Sequence, residues 1–265
     1  MPILHLLLVA VIQGLTEFLP VSSSGHLILL PQLTGLADQG LAIDVAVHVG
    51  TLFAVVLYFR ADVARVLAGL AGLLRWQIDD PNARLALCLA LATVPVVLVG
   101  LAIKLTGFDE TLRSVAVIGW TMILFGLVLY WTDQRGAKAK TAEHWTLKDA
   151  WTMGLWQALA LIPGTSRSGI TISAARHLGY ARHDAAKLAM LMSIPTILAS
   201  GVLLGRDVVI EGNWAGARDA GLAAVLAFGA ALLALAIMMP LTRKISFTPY
   251  VIYRIILGVG LLIWA

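Results

Sequence analysis

Six apolar runs, at 41–59, 85–103, 114–131, 187–205, 220–240 and 250–265, constrain this chain more than any other feature of it. A helix needs about 20 apolar residues to cross the hydrocarbon core of a bilayer. Within that core only a helix or a closed barrel satisfies every backbone N–H and C=O. Such runs, with few or no charges, predict six full transmembrane helices; the last is short and carries Arg254, which is expected to snorkel from a helix end. Composition agrees. Of 265 residues, 60% are hydrophobic and 13% charged, against about half and about a quarter in soluble domains. A secreted, cytosolic or disordered chain is excluded, and an all-α polytopic membrane protein is expected.

Two further apolar stretches are interrupted. Residues 1–33 break at Leu19-Pro20-Val21-Ser22-Ser23-Ser24-Gly25-His26, and residues 148–178 break at Ile162-Pro163-Gly164-Thr165-Ser166-Arg167-Ser168-Gly169. Each half is too short to span. Proline removes a backbone donor and ends a helix, and the Ser and Thr that follow are good N-caps for a new one. Both stretches are therefore expected to be re-entrant broken-helix hairpins, their irregular backbone buried in protein or lining a wet cavity. The breaks align: Gln13 to Gly25 and Gln157 to Gly169 have the same spacing, with Leu15 on Leu159, Ser22 on Ser166 and Ser24 on Ser168; only the prolines are off by one. Three spans follow each. The chain thus divides into two repeats of five helical elements, 1–135 and 136–265, within one membrane domain.

Lys and Arg give the orientation. Taking alternate loops as cytoplasmic, including 60–84, 135–148 and 176–187, puts thirteen inside and four outside, with Arg167 and Arg254 within the membrane. Both termini then lie outside, the first hairpin enters from outside, and the second enters from inside. That is an inverted-topology repeat, an architecture that places its site near the bilayer midplane. The net charge of +4 serves inner-face anchoring, so no nucleic-acid partner is expected. Cys88, the one cysteine, lies in an apolar run and reads as packing.

The breaks also carry the chemistry. The first holds Glu17, Ser22, Ser23, Ser24 and His26; the second holds Arg167 flanked by Ser166, Ser168 and Thr171. A charge at mid-bilayer costs about 2.5–3.5 kcal/mol on insertion scales, so it faces a partner or a cavity. Half-helices starting after Pro20 and Pro163 aim free N–H groups at a shared point, a geometry that holds anions. An arginine fork and several hydroxyls beside it suit phosphate. Gln13 and Gln157 read as groups that satisfy broken-helix backbone. Asp44 and His48, four apart, share a helix face and either line the cavity behind the first rank of residues or brace their helix. There is no P-loop, dinucleotide fingerprint, HExxH or CxxC, so ATP-driven transport is not expected.

These residues resemble the undecaprenyl-diphosphatase family, the bacitracin-resistance (BacA) type of membrane phosphatase, over essentially the whole chain. The resemblance is strongest in Gln13-Gly-Leu-Thr-Glu17-Phe-Leu-Pro-Val-Ser-Ser-Ser-Gly-His26 and Pro163-Gly-Thr-Ser-Arg-Ser-Gly-Ile-Thr171, with weaker support from 44–51 and Tyr253-Arg254. It implies an inner-membrane enzyme that removes the terminal phosphate of undecaprenyl diphosphate. The product is the monophosphate carrier used for peptidoglycan, and bacitracin, which sequesters the diphosphate, competes for the same lipid. A homodimer is a further expectation. The family's serine, histidine and arginine carry over onto Ser23, His26 and Arg167, and its second-motif hydroxyls onto Ser166, Ser168 and Thr171. Where the family has an acidic pair four apart, this chain has Gln13 and Glu17, leaving Glu17 as the acid. The resemblance also implies a divalent cation, Mg²⁺ or Ca²⁺, with Glu17 as its ligand or else as general base. The nucleophile stays open between Ser23, His26 and water. The alternative function is a polyprenyl-phosphate or anion transporter, an architecture that also uses inverted repeats. An acid-phosphatase-type lipid phosphatase fits poorly, because Ser173 stands where that class needs histidine.

Overall fold

A computed structural model describes residues 2–35, 37–107, 114–136, 140–211 and 216–265, without side chains at 33 and 206–211. Arg113, Lys138 and the Arg206 side chain, part of the charge count above, lie outside the described residues. Among the described residues the protein is helical: α1 (Ile3–Phe18), α2 (Ser23–Thr34), α3 (Leu41–Tyr58), α4 (Arg60–Leu74), α5 (Pro81–Thr106), α6 (Val115–Arg135), α7 (Leu147–Ala158), α8 (Arg167–His177), α9 (Arg182–Glu211), α10 (Ala217–Leu241) and α11 (Thr248–Trp264). Five of them, α3, α5, α6, α9 and α10, are long and apolar enough to cross a membrane. The sixth expected span falls on α11, which is apolar but has only 17 residues.

The segment 60–84, taken as a loop from its arginines, contains α4. Charges at Arg60, Asp62 and Arg65 lower its hydropathy without disfavouring a helix, because Arg, Ala and Leu are all strong helix formers. Gly69 lets α4 lie on the start of α5, where a Cβ would sit 2.0 Å from the Asn82 carbonyl oxygen.

Both broken stretches are interrupted where proline and serine require it. The chain leaves α1 in extended conformation at Leu19 and starts α2 after Ser22, whose φ is 75°. The second break leaves α7 earlier, through a 3₁₀ turn at Leu159–Leu161, and starts α8 after Ser166, φ 71°. This earlier departure is where the prolines lose register. Both serines cap as expected, their Oγ accepting from the N–H of Gly25 and of Gly169.

Small residues allow the close crossings that helices without a water-driven force between them need. A Cβ on Gly50 of α3 would lie 2.1 Å from the Ala224 carbonyl oxygen of α10, and one on Gly154 of α7 would lie 2.5 Å from that of Ala92 in α5. Helix α1 packs on α10 as α7 packs on α5, and α3 packs on α10 while α9 packs on α5.

Some residues counted as inner-face anchors turn inward instead. Arg176 is fully buried and donates to Asp133 Oδ1 at 3.1 Å, to the Asp133 carbonyl at 2.8 Å and to the Tyr180 carbonyl at 2.5 Å. Arg182 meets the same Asp133 oxygen at 2.8 Å, and the Phe247 N–H donates to the other at 3.1 Å. One carboxylate thus ties together α6, α8, the start of α9 and the approach to α11. Nearby, burial and a 2.6 Å hydrogen bond to Asp149 push the Tyr180 phenol above its ordinary range.

Candidate functional site

Glu17 sits where the two breaks meet. It and Gln13 occupy one face of α1, four residues apart, and both are buried. Gln13 Nε2 donates to Glu17 Oε2 at 2.8 Å, so Gln13 holds the carboxylate rather than broken backbone. Ser23 Oγ, at the first turn of α2, donates to the same oxygen at 2.5 Å. From the other break, Arg167 Nη2 donates to Glu17 Oε1 at 2.7 Å. His48 Nε2, on α3, stands 3.9 Å from Oε2. The carboxylate is therefore shared by α1, α2, α3 and α8. A buried pair of this kind is strongly destabilised when one partner is removed, because the other stays in low dielectric as an uncompensated charge. Arg167 Nη1 is buried and has no hydrogen-bond partner among the described residues.

These groups form the polar end of a cavity of about 610 Å³. Ser22, Ser24 and Ser166 line it, as do Asp44 and His48. Its apolar wall includes Leu41, Val45, Val96 and Ile197. Sequence reasoning missed Asp38 and two hydroxyls of α9, Thr196 and Ser200, because isolated polar residues in an apolar helix do not show which way they face.

Several expected site residues are engaged elsewhere. Ser168 donates to the Leu19 carbonyl at 2.9 Å, joining the second break to the first. Thr171 donates to the Arg167 carbonyl of its own helix at 2.7 Å. Gln157 Nε2 donates to the Ala92 carbonyl of α5 at 3.5 Å. His26 lies outside the cavity lining, with Nδ1 2.6 Å from the Ser22 carbonyl and Nε2 2.6 Å from the Tyr253 hydroxyl. A carbonyl only accepts, so Nδ1 carries a hydrogen, and in the neutral ring Nε2 accepts from tyrosine. Neither ring nitrogen meets Ser23.

Arg254 does not snorkel. It is fully buried and donates to the carbonyls of Pro20 (3.3 Å), Gly164 (3.0 Å), Thr165 (2.9 Å), Met122 (3.1 Å) and Thr121 (3.3 Å). One guanidinium thus satisfies carbonyls at both breaks, Pro20 from the first and Gly164 and Thr165 from the second. The signal was present in the sequence: a lone arginine in an apolar helix usually faces protein. Arg254→Leu is expected to leave these acceptors buried and unpaired, at about 1–3 kcal/mol for each one left unsatisfied. The thermal unfolding midpoint in detergent should fall sharply and activity with it; an unchanged midpoint would show that Arg254 does not hold the breaks.

Among the described residues no three His, Cys, Asp or Glu side chains group as metal ligands. A divalent cation here would need substrate oxygens to complete its shell, as Mg²⁺ commonly does with one or two carboxylates plus phosphates.

Five membrane-length apolar helices, and a buried carboxylate and guanidinium joined where two broken stretches meet, define a polytopic helical membrane protein with its polar site enclosed in protein. The chain belongs to the family described as bacitracin resistance protein BacA, whose profile matches residues 6–260. It is 71% identical over 265 residues to an undecaprenyl-diphosphatase of Dinoroseobacter shibae, covering 100% of this chain and 99% of that one. It is 67% identical to one of Roseobacter denitrificans over the same shares, and 47% identical over 268 residues to one of Saccharophagus degradans, again covering 100% and 99%.

Proposed function

We propose that this chain hydrolyses undecaprenyl diphosphate to undecaprenyl phosphate and inorganic phosphate. It recycles the lipid carrier for cell-wall synthesis and confers resistance to bacitracin. The observation that carries this reading is Glu17, held by Arg167 and Ser23 at the polar end of a large cavity, in a chain that matches undecaprenyl-diphosphatases over its full length.

The diphosphate sits against Arg167, whose free Nη1 neutralises charge on the transferring phosphoryl group. Ser22, Ser24 and Ser166 donate to its oxygens. Glu17 takes the proton of the nucleophile, in the position Ser23 Oγ–H already occupies. His26 and Ser168 keep the breaks in shape; Thr171 and Gln157 support them through backbone carbonyls. In place of acting as base, Glu17 would hold Mg²⁺ or Ca²⁺ together with substrate oxygens, and the cation would supply further charge neutralisation. The prenyl tail follows the apolar wall.

The halves 1–135 and 136–265 are proposed to be inverted repeats with re-entrant hairpins at 1–33 and 148–178. The matching serine caps and the exchanged pairings of α1 with α10 and α7 with α5 support this. The proposed setting is the bacterial inner membrane with both termini on the periplasmic side. Bacitracin competes for the lipid substrate, and a homodimer is part of the same reading.

The test is phosphate release from undecaprenyl diphosphate by detergent-purified protein, with and without EDTA. Release is expected, and its loss with EDTA followed by recovery with Mg²⁺ or Ca²⁺ would establish the cation. No release from folded protein that binds the lipid would replace hydrolysis with lipid flipping, to be measured in liposomes.

A further inference from the structure

The residue that follows each positive-φ serine is the one that reaches Glu17. Ser23 follows Ser22 and Arg167 follows Ser166, and they meet Oε2 and Oε1 of the same carboxylate at 2.5 and 2.7 Å. Neither Ser22 nor Ser166 is a glycine, so a left-handed φ of 75° or 71° persists only where neighbours hold the backbone. The two side chains differ in what they need from that backbone. Arginine reaches Glu17 through a long stem that absorbs small movements of its Cα. The Ser23 hydroxyl is a single bond from Cβ and goes where its backbone goes.

Yet the first break is tied more loosely by its own main chain. The His26 N–H donates to the Ser22 carbonyl at 3.3 Å, against 2.9 Å from the Ile170 N–H to the Ser166 carbonyl. The Gly25 N–H reaches Ser22 Oγ at 3.4 Å, against 3.1 Å from Gly169 to Ser166 Oγ. The first break adds an imidazole instead. His26 Nδ1 lies 2.6 Å from the Ser22 carbonyl, at the position where the second repeat has Ile170. That carbonyl belongs to the peptide joining Ser22 to Ser23. His26 Nε2 lies 2.6 Å from the Tyr253 hydroxyl of α11, and the two rings stack within 7° of parallel. A hydroxyl donating to Nε2 leaves the hydrogen of the neutral ring on Nδ1, where the Ser22 carbonyl needs it.

We propose that Tyr253 is a positioning residue for the hydrolysis proposed above, a role that rests on that reading. Acting through His26, it fixes the Ser22–Ser23 peptide and so aims the Ser23 hydroxyl at Glu17. Tyr253 itself stands outside the cavity lining. Without its hydroxyl, Nε2 loses its partner, and the ring is free to turn toward another and release the Ser22 carbonyl. The next residue, Arg254, donates to the Pro20 carbonyl of the same break. Two adjacent residues of α11 therefore hold the first break on either side of Val21, one directly and one through an imidazole.

The experiment measures phosphate release from undecaprenyl diphosphate by the full chain. It compares the wild type with Tyr253→Phe, His26→Asn, His26→Ala and the double variant Tyr253→Phe/His26→Asn. Phenylalanine keeps the stacked ring and removes only the hydroxyl. Tyr253→Phe is expected to lose about 10-fold in kcat, within the roughly 10²-fold that a 1 Å misplacement costs, with KM and the thermal midpoint in detergent little changed. Asparagine places an amide N–H near Nδ1 and has no ring to turn. His26→Asn should therefore recover most of the activity lost in His26→Ala, and in that background removing the Tyr253 hydroxyl should cost nothing further. Wild-type kcat in Tyr253→Phe overturns the proposal, as does the same loss repeated in the double variant, which would make Tyr253 a packing residue. His26→Asn as inactive as His26→Ala also overturns it and puts the imidazole itself in the chemistry, a result that stands even if Tyr253→Phe fails to fold. A folded wild type that binds the lipid and releases no phosphate would instead overturn the phosphatase reading itself.

Discussion

Glu17→Gln is expected to lower phosphate release from undecaprenyl diphosphate by at least about 10³-fold, with protein that still folds and still binds the lipid. The carboxylate is the acceptor for Ser23 at 2.5 Å, for Arg167 at 2.7 Å and for Gln13 at 2.8 Å. An amide keeps the volume and one carbonyl oxygen, but its nitrogen is a donor, so it cannot satisfy donors from both sides. It also loses the charge that holds the buried guanidinium. Breaking a buried pair costs about 3–5 kcal/mol of stability, so folding is checked by the thermal midpoint in detergent; the rate falls because Arg167 is no longer held in place for the phosphoryl group. The loss of the proton acceptor adds to this. Single-turnover phosphate release beside lipid binding checks the prediction. A variant that binds and still turns over near the wild-type rate would remove Glu17 from the chemistry.

The parts of this site that were legible in the sequence are those that lipid penalises most. Glu17 and Arg167 stand out because a charge in an apolar stretch needs a partner, and the two breaks supply each other's. The serine caps were legible because proline followed by serine ends one helix and starts another. Residues whose role depends on rotation about a helix axis were not. The i,i+4 spacing of Asp44 and His48 shows that they share a face, but only the packing of α3 on α10 turns that face to the cavity. His26 follows from a motif, yet its ring turns to Tyr253, 227 residues away. Charge counting misled at Arg176: it scores that residue as an anchor by sign alone, whereas Asp133 draws it into the interior.

Arg167→Lys is expected to lose about 10²–10³-fold in kcat, and Arg167→Ala more, toward the 10³–10⁵-fold that an arginine contributes in phosphoryl transfer. The guanidinium works in two directions. Nη2 grips Glu17 Oε1, while Nη1 has no partner among the described residues and, on the proposed reading, turns to a substrate oxygen as the site fills. An ammonium is a compact point charge and lacks the rigid fork that reaches both. Lysine therefore keeps either the carboxylate or the phosphoryl group. If it stays on Glu17, as a buried ion pair favours, the transferring group loses its neutralising contact and the deficit falls on kcat more than on KM, because that charge builds toward the transition state. The ratio of the two effects is thus the informative quantity. A rise in KM with kcat unchanged would make Arg167 a ground-state binding residue. A normal rate in Arg167→Lys would mean that only its positive charge matters, and that the free arm of the fork has no part in the reaction.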